Sequence, residues 1–328
     1  MVTIVPVECR VEVGELLPGE GPLSVVADIF MPPLMRSPPV ALFCLPGGAL
    51  TGRYFDLQPA PDSQVGGGTD EFSFAVWMAS RGFIVVTLNH LGIGGSSRPR
   101  NGFELTPDVL TTVNALAVRR ICDDLLAGRV TGQVQPLEEL RTIGVGHSMG
   151  AMLTILQQAR DRRHAALMLF GYGTRGLPAA LSVEEASFAA DPAGARHNVV
   201  RLARARSSEP YQTVKSSAQS RGLFAGEGAD RRGVEALQRA RSQLLVTAGL
   251  FSMIPGSTAS ECEQITTPVF LAVGDRDITG PPHEIPASFP ASPDVTLLVL
   301  PATGHCHFLF ASRRRLFERM QAWVDAVL

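Results

Sequence analysis

The segment Gly146-His147-Ser148-Met149-Gly150 places a serine between two glycines, after an apolar run at 141–145 and before a helix-forming run at 151–158. A serine at a tight strand-to-helix turn is the arrangement of a nucleophile elbow. A serine hydroxyl attacks poorly unaided. It needs a base to take its proton, an acid to orient that base, and N–H donors for the developing oxyanion. The chain offers candidates in the order serine, acid, histidine. Asp277 is the candidate acid, one loop step beyond an apolar strand. Asp275 is its rival, and its place at the strand end suits bonding to the turn backbone. His305, after a glycine in the loop 301–307, is the candidate base, with His307 as its rival. Their His-x-His spacing also admits a metal-ligand reading, but no acidic partner lies nearby in sequence. The oxyanion donors are the backbone amide of Met149 and that of Gly48 or Ala49, in the turn Pro46-Gly47-Gly48-Ala49. His147, inside the elbow, reads as a packing residue. The loop Asn89–Ser96 contains G-x-G, but Ser97 stands where a dinucleotide fingerprint needs its third glycine.

Strands must present these residues at one edge. Val40–Leu45 is apolar throughout and predicts a central strand covered on both faces. Further strands are predicted at 83–88, 141–145, 165–170, 268–273 and 295–300, after a hairpin at 3–13 and 24–31. Helices are predicted over 71–80, after Thr106-Pro107, after Ser148, and at the C-terminus. The alternation means an α/β fold with a mostly parallel central sheet flanked by helices. Residues 176–264 break the rhythm, being helix-prone and strand-poor. They read as a helical cap inserted into a core formed by 1–175 and 265–328.

The chain has 328 residues, 45% hydrophobic and 18% charged, which suits one large domain with an insertion. Its net charge of -2 gives no reason to expect nucleic acid or an anionic membrane as partner. Five scattered cysteines without a CxxC pair read as reduced thiols, and the N-terminal twenty residues lack an apolar signal core. A cytoplasmic monomer or homodimer is expected.

Taken together, the elbow at 146–150, Pro46-Gly47-Gly48, the loop 89–96, Gly274-Asp275-Arg276-Asp277 and Gly304-His305 resemble the α/β-hydrolase superfamily, in its capped branch. The chain departs from the usual pattern at Pro46, where relatives often carry histidine, and at Asn89, where they commonly carry aspartate. Ser148 stands where epoxide hydrolases and haloalkane dehalogenases carry aspartate, which argues against both activities. The resemblance implies a serine esterase or lactonase using a catalytic triad and an acyl-enzyme, with no cofactor or metal. The same triad serves C–C bond hydrolases of ring-fission products and thioesterases, and a hydrolase-like small-molecule receptor is a third possibility. Phe188, Tyr211, Phe224, Leu250, Phe251 and Met253 are the cap's apolar candidates for a hydrophobic substrate pocket, and can equally form the cap's own core.

Overall fold

A computed structural model describes residues 4–59, 72–130, 135–214 and 224–328. The glycines at 66–68, the start of the predicted helix at 71, and residues 215–223 of the expected cap lie outside that set.

Eight strands form one sheet: β1 (Val7–Gly14), β2 (Leu23–Phe30), β3 (Val40–Leu45), β4 (Ile84–Leu88), β5 (Arg141–His147), β6 (Ala166–Phe170), β9 (Val269–Gly274) and β10 (Val295–Leu300). Their spatial order is β1-β2-β4-β3-β5-β6-β9-β10. β2 pairs antiparallel with both neighbours, and every pairing from β4 to β10 is parallel. The strand β3 shows why its sequence is apolar throughout. Ala41, Phe43 and Leu45 join the core on one face of the sheet, while Val40, Leu42 and Cys44 join the core on the other.

Helices fill both faces. On the first lie α2 (Pro107–Leu126) and α3 (Met149–Asp161), which bury Leu110, Val113, Ala151 and Ile155. Thr106 caps α2 by accepting from the Val109 N–H, with Pro107 in the first turn. On the second lie α1 (Phe74–Ala79) and the C-terminal α9 (Arg313–Val327), which bury Phe74, Met78, Phe317 and Val324. Parallel strands topped by helices carry their ligand-facing loops at the strands' carboxyl ends.

Between β6 and β9 the chain forms α4 (Val183–Ser187), α5 (Pro192–Arg206), α6 (Arg231–Ala240), α7 (Val246–Met253) and α8 (Ala259–Cys262). A capping box between Ser182 and Glu185 starts α4. The sequence pattern did not anticipate two short strands here, β7 (Tyr211–Thr213) and β8 (Gln243–Leu245), paired antiparallel. Three-residue strands are too short for alternation to show. Among the described residues, no helix is long and apolar enough to cross a membrane.

Candidate active site

Ser148 sits between β5 and α3 with φ 53° and ψ −120°, a strained conformation for a residue with a side chain. Its neighbours explain why both flanking glycines are needed. A Cβ on Gly146 would lie 2.4 Å from Ala151 Cα, and one on Gly150 would lie 2.0 Å from the Leu45 carbonyl oxygen. The helix and β3 therefore close tightly around the turn and force the serine outward. Its N–H donates to the Phe170 carbonyl at 2.8 Å, and its side chain makes no capping bond to α3. The hydroxyl is left to face the cavity.

The turn after β3 approaches the elbow closely. A Cβ on Gly47 would lie 3.1 Å from Ser148 Cβ. The hydrogen bonds that fix this turn use its carbonyls. Gly47 accepts from the Leu50 N–H at 3.2 Å, Ala49 accepts from the Ser242 N–H at 2.8 Å, and Pro46 accepts from His90 Nε2 at 2.8 Å. Ala49 adopts φ 61°, a second strained backbone beside the nucleophile. Burial lowers His90 to about 4, so it donates to Pro46 as a neutral ring. Met149, as the first residue of α3, has an N–H without an intrahelical acceptor.

The candidate acid and base come from the loops after β9 and β10. His305 Nδ1 donates to Asp277 Oδ1 at 2.7 Å, and both side chains are buried. Asp277 Oδ1 also accepts from the Ile278 N–H at 2.6 Å. Burial pushes the Asp277 carboxyl up. The His305 ring with its hydrogen bond, together with the bond from His307, outweighs that effect and holds it well below the usual carboxylate range. Asp275 does different work: its carboxylate accepts from the N–H groups of Ala302 and Thr303 at 2.9 and 3.1 Å, shaping the loop that delivers His305.

Two further histidines touch this pair: His307, and His147, which the sequence offered only as a packing residue. His307 is the rival base of the sequence reading. Its ring is buried, but its Nε2 donates to Asp277 Oδ2 at 2.9 Å. His147 packs on Tyr54, with ring centroids 4.4 Å apart, and its Nε2 also donates to the His305 carbonyl at 3.0 Å. Burial, then the neighbouring rings of His305 and His307, hold His147 well below the ordinary histidine value. Neither contact could be read from sequence, since each depends on where a loop returns. Among the described residues, no three histidine, cysteine or acidic side chains converge as a metal cluster.

Ser148 and His305 line one cavity of about 140 Å³ with Gly47, Gly48, Ala49 and Met149. Its apolar walls are Leu177, Val214, Phe224, Leu244, Met253 and Ile278. A smaller recess of about 30 Å³ shares Ser148, His305, Leu177, Ser252 and Ile278, and adds Gly171, Gly173 and Thr279. A larger opening of about 720 Å³ beside α9 contains none of the residues named for the chemistry.

Of the six apolar cap candidates, Phe224 and Met253 line the 140 Å³ cavity. The other four do not, and each has another place. Phe188 packs at the end of α4 against the main core. Tyr211 is buried under Arg98 and donates its hydroxyl to the Pro99 carbonyl at 2.9 Å. Leu250 and Phe251 are core residues of α7. On α7 the cavity receives Gly249, Ser252 and Met253, an i, i+3, i+4 face, which turns Leu250 and Phe251 the other way. The sequence reading missed Leu177, Val214, Leu244, Ser252 and Ile278. Only the spacing on α7 offered a signal.

Comparison with known proteins agrees with this architecture. A family model described as "Alpha/beta hydrolase family" matches residues 42–319. No curated protein matches the chain in sequence. Among solved structures, a bromoperoxidase from Bacillus anthracis is similar in fold, with TM-score 0.61 and 14% identity over 97% of this chain and 99% of that one. E-2-(acetamidomethylene)succinate hydrolase gives 0.60 and 13% over 98% and 100%. A thermophilic esterase from Thermogutta terrifontis gives 0.58 and 16% over 97% and 99%.

Proposed function

The chain belongs to the alpha/beta hydrolase family, and from that premise we propose that it is a serine hydrolase acting on a carboxylic ester or lactone of a neutral, hydrophobic small molecule. One observation carries this reading. Ser148, in its strained turn, and His305, bonded to Asp277, line one cavity whose described walls are mostly apolar.

In this reading the steps are those of a serine triad. His305 takes the Ser148 proton as the hydroxyl attacks the acyl carbon, while Asp277 holds the ring through Nδ1 and stabilises the imidazolium. The amides of Met149 and of Gly48 or Ala49 receive the oxyanion. His305 returns the proton to the leaving alcohol. Water, activated by the same ring, then frees the acid. Residues 176–264 act as the cap: Leu177, Phe224, Leu244 and Met253 roof the cavity, exclude water and contact the apolar part of the substrate.

The test is a panel of p-nitrophenyl esters from acetate upward, run beside acyl thioesters and ring-fission diketones. Turnover of neutral esters supports the proposal. Turnover confined to thioesters or diketones moves the enzyme to those bonds. Specific binding without turnover of any of them makes the chain a receptor.

A further inference from the structure

Asp277 is shared by two histidines. His305 occupies Oδ1 and His307 occupies Oδ2, from ring nitrogens 2.7 and 2.9 Å away. Both rings come from one loop, and the carboxylate between them is buried. A buried carboxylate is costly unless its lone pairs are met. In this site a backbone N–H meets Oδ1, whereas Oδ2 has the His307 ring.

We propose that His307 is a positioning residue: it pins Oδ2 of Asp277 with its Nε2–H donor, so that the carboxylate stays ionised and keeps Oδ1 on His305. The inference rests on the serine-hydrolase reading of the site. His307 is absent from the walls of both cavities beside Ser148, so it acts through Asp277 and does not touch substrate. Its Nδ1 is buried and has no hydrogen-bond partner among the described residues, so the ring's polar contact is the one from Nε2 to Asp277. Nε2 is therefore the ring nitrogen that serves Asp277.

The other groups around Asp277 cannot replace it. From β5, His147 spends its Nε2 on the His305 carbonyl. From the 3-10 turn at Gly52–Phe55, Tyr54 is buried, and burial holds its hydroxyl protonated well past the ordinary range. Cys306 lies between the two histidines in sequence and is likewise held as a thiol by burial and by the Asp277 charge. Arg276, the preceding residue, is exposed. Removing the His307 donor leaves burial acting on Asp277 with one compensating bond fewer. The carboxyl then takes a proton at higher pH, and the triad fails from the acid side sooner.

The sign and size can be measured. A hydrogen bond to a charged group contributes about 1.5–3 kcal/mol. That corresponds to an acid limb displaced upward by about one to two pH units, hence a kcat/KM loss of roughly ten- to hundredfold at a pH below the displaced limb and little change on the plateau above it. His307→Leu should show this loss in kcat with KM little changed. His307→Gln, whose amide nitrogen can stand near Nε2, should recover most of it and restore the limb. His307→Asn, whose amide is shorter by one atom, replaces the leucine variant should that one not fold, and should shift the limb in the same direction.

A second readout does not depend on turnover. In Ser148→Ala protein, the low-field proton resonance of the His305 Nδ1–H···Asp277 bond should persist with His307→Gln and be lost or displaced with His307→Leu or Asn. Variants that lower stability but leave both the acid limb and the resonance unchanged would overturn the proposal. A protein that turns over no panel substrate, yet shows the resonance behaving as described, would sink the hydrolase reading and leave the His307 assignment standing.

Discussion

Lowering the pH from about 7.5 to about 5 should destabilise this protein well before its carboxylates titrate, because several histidines are buried as neutral rings. Two can be sized. Burial lowers His90 to about 4 and His164 to about 3, from an ordinary value of 6.5. His164 is fixed as the Nδ1–H tautomer, donating to Thr142 Oγ1 at 3.1 Å while the Gln157 amide faces Nε2 at 3.4 Å. His90 anchors the Pro46 carbonyl at the turn beside Ser148. For such groups the unfolded chain binds protons that the folded one refuses. Stability is therefore full above the unfolded value and falls as pH drops from there toward the folded value. At about pH 5 each group contributes a loss of about 2 kcal/mol, or roughly 4 kcal/mol together. His147 adds to the same trend, since burial also holds it low. With an unfolding entropy of about 2.1 cal/mol/K per residue, 4 kcal/mol in a chain of 328 residues is a Tm decrease of about 6 °C. Differential scanning calorimetry across this range reads it. Asp277 belongs to a lower window: its contribution is lost only as pH falls below the ordinary carboxylate value of 3.8. The control is His90→Gln with His164→Asn, which keeps one donor at each site and removes the titrating ring; it should flatten the slope by about 4 kcal/mol. A Tm that is level down to about pH 5, or an equally steep fall in the double variant, would refute the reasoning.

Other outcomes follow from the same contacts. Gly150→Ala should lower stability by about 1–3 kcal/mol or more and disturb the oxyanion turn, because its Cβ would meet the Leu45 backbone at 2.0 Å; Tm and serine-probe labelling should fall together. Asp277→Asn should cost on the order of ten-thousandfold in kcat, read with a p-nitrophenyl ester, while leaving the protein folded. Phe224→Ala and Met253→Ala should change the preference among longer acyl chains far more than the rate with acetate. An equal slowing of short and long esters would make the cap a brace without a role in selectivity.

Much of the frame is visible in the chain because doubly covered strands must be apolar. Val40–Leu45, buried throughout, carries the same limits in sequence and structure, as does the half-buried edge strand Val295–Leu300. The elbow is visible because steric demand fixes residue type: only glycine fits at 146 and 150. The order Ser148, Asp277, His305 is visible because each residue follows the carboxyl end of a strand in the same parallel sheet. What stays hidden is set by tertiary return. Nothing in the His-x-His spacing says that a two-residue step in a loop brings the second ring to the far oxygen of Asp277. The pocket wall is hidden for a similar reason. Cap residues can turn toward the cavity or toward the core, and hydrophobicity alone does not separate Met253 from Phe251. The strands β7 and β8 are shorter than one period of alternation can reveal, yet Leu244 on β8 forms part of the wall.

The central claim is that Ser148 is the nucleophile of an acyl-transfer site. Mass spectrometry after reaction with a fluorophosphonate tests it directly, with wild type and Ser148→Ala treated side by side. The account predicts one adduct, on the peptide carrying Ser148, and no adduct in the variant, together with loss of ester turnover on the order of a millionfold. A wild-type protein that remains unlabelled, or an adduct and turnover that survive in Ser148→Ala, would contradict it.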